Sequence, residues 1–239
     1  GAMNGSKQRY AGLKGETDPA KAIGIIKAGG YATDTKYVSK VLSIINKYEL
    51  TEYDQATKGG VSNLKINQNP NFGTHNTSPR SGEIEYIVIH YVGATGTAKN
   101  NIDYYNQRST TNASADFYVG FEGEKWQYNP DPKARYCWAV GGGKQSSYGG
   151  SLYGVARNAN SVSIEMCVRN KGNKNANSKD WYFEQATIDS AVELTKYLMK
   201  LYGVPASRVI RHFDVNGKLC PGVYGWNSAS GSESAWNDF

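Results

Sequence analysis

Seven prolines, three cysteines and three histidines among 239 residues leave this chain poor in the residues that specialised scaffolds need. Cys137, Cys167 and Cys220 cannot build a disulfide framework, so a small cross-linked fold is excluded. If Cys220 binds a metal, Cys137 and Cys167 could pair or stay as buried free thiols, and free thiols are expected. No apolar run nears the roughly 18 residues of a membrane-spanning helix, so membrane insertion is not expected. No block of five or six basic residues is present, so the formal charge of +6 points to an anionic wall polymer rather than to nucleic acid. The opening Gly1-Ala2-Met3 reads as an expression scar, not a signal peptide.

Tyrosine and glycine, by contrast, are abundant at 18 and 27 residues. Together they describe a turn-rich chain with aromatic surface. That suits a cleft for a sugar or peptide polymer, and equally suits ordinary strand tyrosines. The length allows one large domain with a smaller piece beside it.

Because histidine and cysteine are so scarce, the stretch Arg211–Gly222, RHFDVNGKLCPG, stands out. It is read as one short loop holding His212, Lys218 and Cys220. An imidazole and a thiolate eight positions apart are the ligand types that zinc prefers. Lys218 puts a positive charge beside them. Two ligands do not make a site, and His90 is the candidate third. His75, among Gly, Thr and Asn, reads as a solvated loop residue.

Along the chain, Asp18-Pro19 is an N-cap followed by proline at the first helical position, and Gly29-Gly30 stops that helix. A second helix is expected to open near Thr33-Asp34, with Val38, Val41, Leu42 and Ile45 as its stripe. Residues 50–80 are polar and turn-rich, a linker and entry loop. Tyr86–Ile89 is apolar on both faces, the mark of a central buried strand, and His90 closes it. Residues 97–108 suit a surface helix with Ile102 and Tyr105 inward. Ala115–Phe121 and Lys125–Tyr128 read as a hairpin about Glu122-Gly123. The Gly-, Ser- and Tyr-rich loop from Gly141 to about residue 158 reads as a binding loop or lid. Ser161–Val168 is a further strand, in which Glu165 is alone among apolar neighbours. A carboxylate there is costly unless paired or doing chemistry, or else it faces outward on an edge strand. Residues 183–202 form the clearest helix, with Ile188, Ala191, Val192, Leu194, Leu198 and Leu201 as its apolar face.

Four segments in this order, IVIHYVGAT, ADFYVGFEG, NANSVSIEMCV and RHFDVNGKLCPG, make residues 80–225 resemble the zinc-dependent N-acetylmuramoyl-L-alanine amidases, the family of amidase-type phage lysins and peptidoglycan recognition proteins. The resemblance implies an α/β fold, a mixed central sheet flanked by helices. It implies Zn2+ on His90, His212 and Cys220, with Glu165 and Lys218 catalytic. It departs from the family at Ala115, where some relatives carry a tyrosine, and at Val140 or its neighbour, where many carry a histidine. The implied reaction is hydrolysis of the amide between N-acetylmuramic acid and L-alanine, in a bacterial autolysin or phage endolysin. The implied partner is peptidoglycan, with no nucleic acid, a monomeric chain, and a location in the cell wall or release from a host as a phage lysin. The alternative is a non-catalytic muropeptide-binding module, which typically lacks the cysteine ligand.

The N-terminal stretch, centred on GGYATDTKYVSKV, resembles the end of a bacterial cell-wall glucosaminidase domain. The part that bears that family's catalytic glutamate is not in this sequence, so no glycosidase activity is assigned, and Tyr31 reads as a relic or a packing residue. The expected division is 1–54 as this helical segment, 55–79 as linker and entry loop, 80–226 as the amidase domain and 227–239 as a tail.

Overall fold

The computed structural model describes residues 9–16, 18–47, 64–107, 109, 112–146 and 149–239. Residues 48–63, the first part of the expected linker among them, lie outside the described residues. The chain separates into two compact units, Gly1–Val61 and Ser62–Phe239.

In the first unit, helix α1 spans Pro19–Ala28. The Asp18 carboxylate accepts from the backbone N–H of Ala20 at 2.8 Å and of Lys21 at 3.2 Å, satisfying donors that a helix start leaves open. Helix α2 spans Tyr37–Lys47. It begins three residues later than Asp34, because the Asp34 carboxylate holds a turn by accepting from Lys36 N–H at 2.8 Å. The stripe Val38, Val41, Leu42 and Ile45 is half-buried. Tyr31 is 71% exposed, so it is not a packing residue of any core; its ring lies 6.0 Å from that of Tyr37.

Among the described residues, the second unit has ten strands. These are β1 Ile66–Gln68, β2 Thr77–Pro79, β3 Tyr86–Tyr91, β4 Phe117–Val119, β5 Lys125–Gln127, β6 Arg135–Cys137, β7 Ser161–Met166, β8 Arg169–Asn170, β9 Trp181–Tyr182 and β10 Val209–Arg211. Six of them form one sheet in the order β1-β5-β4-β7-β3-β10. Neighbours are parallel except β4 and β5, which are antiparallel, so the sheet is mixed, as expected. The pairs β2–β6 and β8–β9 stand apart as small antiparallel ribbons.

Strand alternation sorts this sheet into two unlike faces. Ile87, Ile89, Phe117, Val119, Val162, Ile164 and Met166 pack in one cluster with Ala191, Leu194 and Leu198 of helix α4, Gln185–Tyr202. The buried stripe of α4 runs through Thr187, Ala191, Leu194, Thr195 and Leu198. Leu201, expected inside, is exposed, because the helix is rotated to put two threonines over the sheet. On the opposite face, helix α3, Ala98–Gln107, buries Ile102 against Tyr118 and Tyr128. That face carries the polar residues Asp116, Ser161, Ser163, Glu165 and His90.

Asp116 shows how a charge is kept inside. Its carboxylate accepts from Asn129 Nδ2 at 2.8 Å, Ser163 N–H at 2.9 Å and Ser163 Oγ at 2.9 Å. Burial pushes its pKa up, opposed by those hydrogen bonds and by the Arg80 guanidinium. Arg80 itself donates to the carbonyls of Pro132, Ala159 and Ser161 at 2.6, 2.6 and 2.7 Å. Asp116→Ala takes an acceptor from Asn129 Nδ2 and from the Ser163 N–H and Oγ, and removes the negative charge that favours the Arg80 guanidinium. A loss of about 3 kcal/mol is expected, to be read as a lower urea midpoint at unchanged m-value.

The loop from Gly141 onward is not a free lid. Gln145, Gly150 and Leu152 donate their backbone N–H to the carbonyls of Asn216, Phe213 and Asp214 at 2.6, 2.9 and 2.9 Å. A Cβ on Gly149 would sit 2.4 Å from the Phe213 carbonyl oxygen, so glycine permits this close approach. The loop is thereby fastened to helix α5, His212–Asn216.

Candidate metal centre

The fold brings three distant side chains to one sheet edge. His90 is the fifth residue of β3, on the polar face. β10 lies parallel to β3 with Arg211 level with Ile89, so the next residue, His212, arrives level with His90. His212 then opens α5, a single short helix where a plain loop was expected. Gly217, in the left-handed region at φ +79°, stops that helix and lets the chain return. Phe213 N–H donates to the Cys220 carbonyl at 2.9 Å, which fixes Cys220 beside the start of the helix.

One ligand atom from each of His90, His212 and Cys220 lies within 4.8 Å of the other two, and all three residues are buried. Cys220 Sγ is 3.6 Å from His90 Nδ1, and the two imidazole centroids are 4.8 Å apart. His90 Nε2 and both ring nitrogens of His212 are buried with no hydrogen-bond partner. Buried polar atoms are seldom left so. Burial, then the neighbouring His212 and Lys218, push the His90 pKa well down. Burial and Lys218 take His212 to about 3, so both rings are neutral with lone pairs free. Burial lifts Cys220 to about 12; a divalent cation reverses that preference by favouring the thiolate. Two neutral imidazoles and a sulfur, buried and short of partners, fit zinc in type and number.

Glu165 stands next to this cluster. On the central strand β7 it is level with His90 of β3 and with Tyr118 of β4, so the three share one face in a row across the sheet. Burial raises its pKa to about 8, with Lys218 opposing. Its Oε1 approaches His90 Nδ1 at 4.0 Å. With both groups displaced toward their neutral forms, this is a close approach and not an ion pair. Its Oε2 has no partner. The expectation that a lone carboxylate in this strand is either functional or outward on an edge resolves against the edge. Lys218 is exposed, and its positive charge acts on Glu165, His90 and His212.

Other residues fall differently. Ala115 and Val140 are buried in apolar clusters. His75 is half-buried, not solvated: its Nε2 is 2.8 Å from the Tyr105 carbonyl. Cys137 and Cys167 are buried free thiols. Tyr118 escaped notice in the sequence; its phenol is buried without a partner in the same row as Glu165. Counting by two from the paired strands would have found it.

The family profile of N-acetylmuramoyl-L-alanine amidases matches residues 80–223. The N-acetylmuramoyl-L-alanine amidase CwlL of Bacillus licheniformis is 31% identical over 142 residues, which is 58% of this chain and 36% of that protein. The amidase CwlA of Bacillus subtilis (strain 168) is 27% identical over 143 residues, 60% of this chain and 45% of that protein. The chain thus spans less than half the length of these relatives. Among solved structures, a mutant of PlyL superposes with a TM-score of 0.53 at 21% identity, covering 73% of this chain and 95% of that one. A structure of PlyL itself gives 0.50 at 22%, covering 66% and 87%. These two likenesses establish the shared fold.

Proposed function

Because the chain belongs to the N-acetylmuramoyl-L-alanine amidase family, we propose that it hydrolyses the amide joining N-acetylmuramic acid to L-alanine in peptidoglycan. We assign zinc to His90, His212 and Cys220, and catalytic roles to Glu165 and Lys218. The observation that carries this reading is the buried His90–His212–Cys220 cluster with unpartnered ring nitrogens, beside the half-buried carboxyl of Glu165.

Zinc bound there would polarise the scissile carbonyl and acidify a water. Three protein ligands leave a fourth position, as a catalytic site requires and a structural one does not. Glu165 is the group that takes a proton from the attacking water and gives it to the departing amine of L-alanine. Burial raises the Glu165 pKa to about 8; a divalent cation beside it would bring that down and favour the ionised form that accepts the proton. Lys218 lends positive charge where the carbonyl oxygen becomes negative.

The same reading extends to the rest of the chain. Residues 1–54 are taken as the end of a glucosaminidase-type domain, 55–79 as linker and entry loop, 80–226 as the amidase domain and 227–239 as its C-terminal segment. Peptidoglycan is the partner, the chain acts as a monomer, and it works in the cell wall or as a phage-released lysin. Among the described residues no helix is long and apolar enough to cross a membrane.

The direct test is release of free L-alanine amino termini from purified cell walls. Release is expected from the zinc-loaded protein, none after chelator treatment, and recovery on adding zinc back. Zinc-loaded protein that binds walls but frees no amino termini would make it a binding module instead.

A further inference from the structure

The residues that follow the family match, from 224 onward, reach back to the chain neighbours of His212 and Cys220. Arg211, which immediately precedes His212, is almost fully enclosed. Its Nε and Nη2 donate to the Asp214 carboxylate at 2.9 and 2.6 Å. Its Nη1 donates to the Trp226 carbonyl at 2.9 Å and to Glu233 Oε1 at 2.7 Å. The guanidinium also lies 5.1 Å from the Trp236 ring centre. On the other side, Asn227 is wholly buried, and its Nδ2 donates to the Pro221 carbonyl at 2.6 Å. Pro221 follows Cys220 directly. Asn227 Oδ1 in turn accepts from Ser230 N–H at 2.8 Å.

The segment is itself anchored. Trp226 packs against Phe183, Trp236 and Phe239, and Trp236 stacks on Phe239. Trp236 N–H donates to the Gly225 carbonyl at 3.1 Å, closing the segment on itself. One anchored stretch therefore holds the residue before His212 and the residue after Cys220.

We propose that Trp226–Trp236 is a brace that sets the spacing of His212 and Cys220, with Glu233 and Asn227 as positioning residues that touch neither metal nor substrate. The proposal rests on the metal-centre reading above. Glu233 can act only through Arg211, and Asn227 only through Pro221. Without Glu233 the Arg211 Nη1 would keep one partner, the Trp226 carbonyl.

Outer partners of metal ligands typically control affinity by about 10- to 100-fold. The test measures zinc affinity of the full chain by chelator competition, with the absorption of the cobalt(II) form as a second readout. Glu233→Ala and Asn227→Ser are expected to weaken zinc binding by about 10-fold or more and to alter the cobalt(II) spectrum. Glu233→Gln, which keeps an accepting oxygen and the side-chain length, should recover much of the loss. Melting of the apo forms separates the roles: a structural contact alone lowers Tm and leaves affinity and spectrum unmoved. A parent chain that binds no zinc overturns the metal centre and the brace together. A parent that binds zinc, with folded Glu233→Ala matching it in affinity and spectrum, overturns the brace alone. Should Asn227→Ser fail to fold, the two Glu233 variants decide the matter.

Discussion

Cys220→Ser is expected to abolish the proposed release of L-alanine amino termini and to lower zinc binding sharply. Serine is close to cysteine in size, so the buried position accepts it and the fold survives. What changes is the donor. A hydroxyl does not ionise near neutrality and is a hard, weak ligand, where the thiolate is soft and charged. The loss should exceed the roughly 10- to 100-fold that follows removal of an outer partner, because a ligand itself is gone. Metal analysis after gel filtration and the amino-terminus assay check the two halves of the expectation. Full activity with stoichiometric zinc in the serine variant would remove Cys220 from the site.

Glu165→Gln separates chemistry from metal binding. The carboxyl approaches His90 only to 4.0 Å and is not one of the three clustered ligands, so zinc should remain. The amide cannot carry a proton between water and the leaving amine. General acid–base groups contribute about 100- to 10,000-fold, so kcat should fall on that scale with KM little changed. A glutamine variant that keeps the parent rate points to a different base. One that loses its zinc moves Glu165 from proton carrier to ligand support.

Much of the sheet could be read from the chain, and the reason is physical. Tyr86–Ile89 is apolar on both faces because both faces of the strand are covered, and such a run has few alternatives. The capped start at Asp18-Pro19 was equally plain, since those residues act locally. His90, Glu165, His212 and Cys220 were picked out by scarcity and by residue type, and by likeness to a family. Their meeting could not be read from spacing, because it depends on β10 lying parallel to β3. Leu201 was placed inside by its apolarity, although the rotation of α4 is decided by the whole sheet surface. His75 was placed in solvent because its partner, the Tyr105 carbonyl, belongs to a helix 30 positions away. The Gly-rich loop read as a binding loop or lid because its composition says nothing about the α5 carbonyls that hold it.

The docking of β10 against β3 carries a kinetic and thermodynamic consequence. His90 and Cys220 lie 130 positions apart in the chain, so the unfolded polypeptide cannot present the ligand trio. Contacts of such long sequence separation close slowly and late. An ion that binds only the finished trio stabilises the native state by mass action. That linkage spreads through every strand between the two ends of the pairing, so zinc would act as a fastener for the whole sheet and not only for its own pocket.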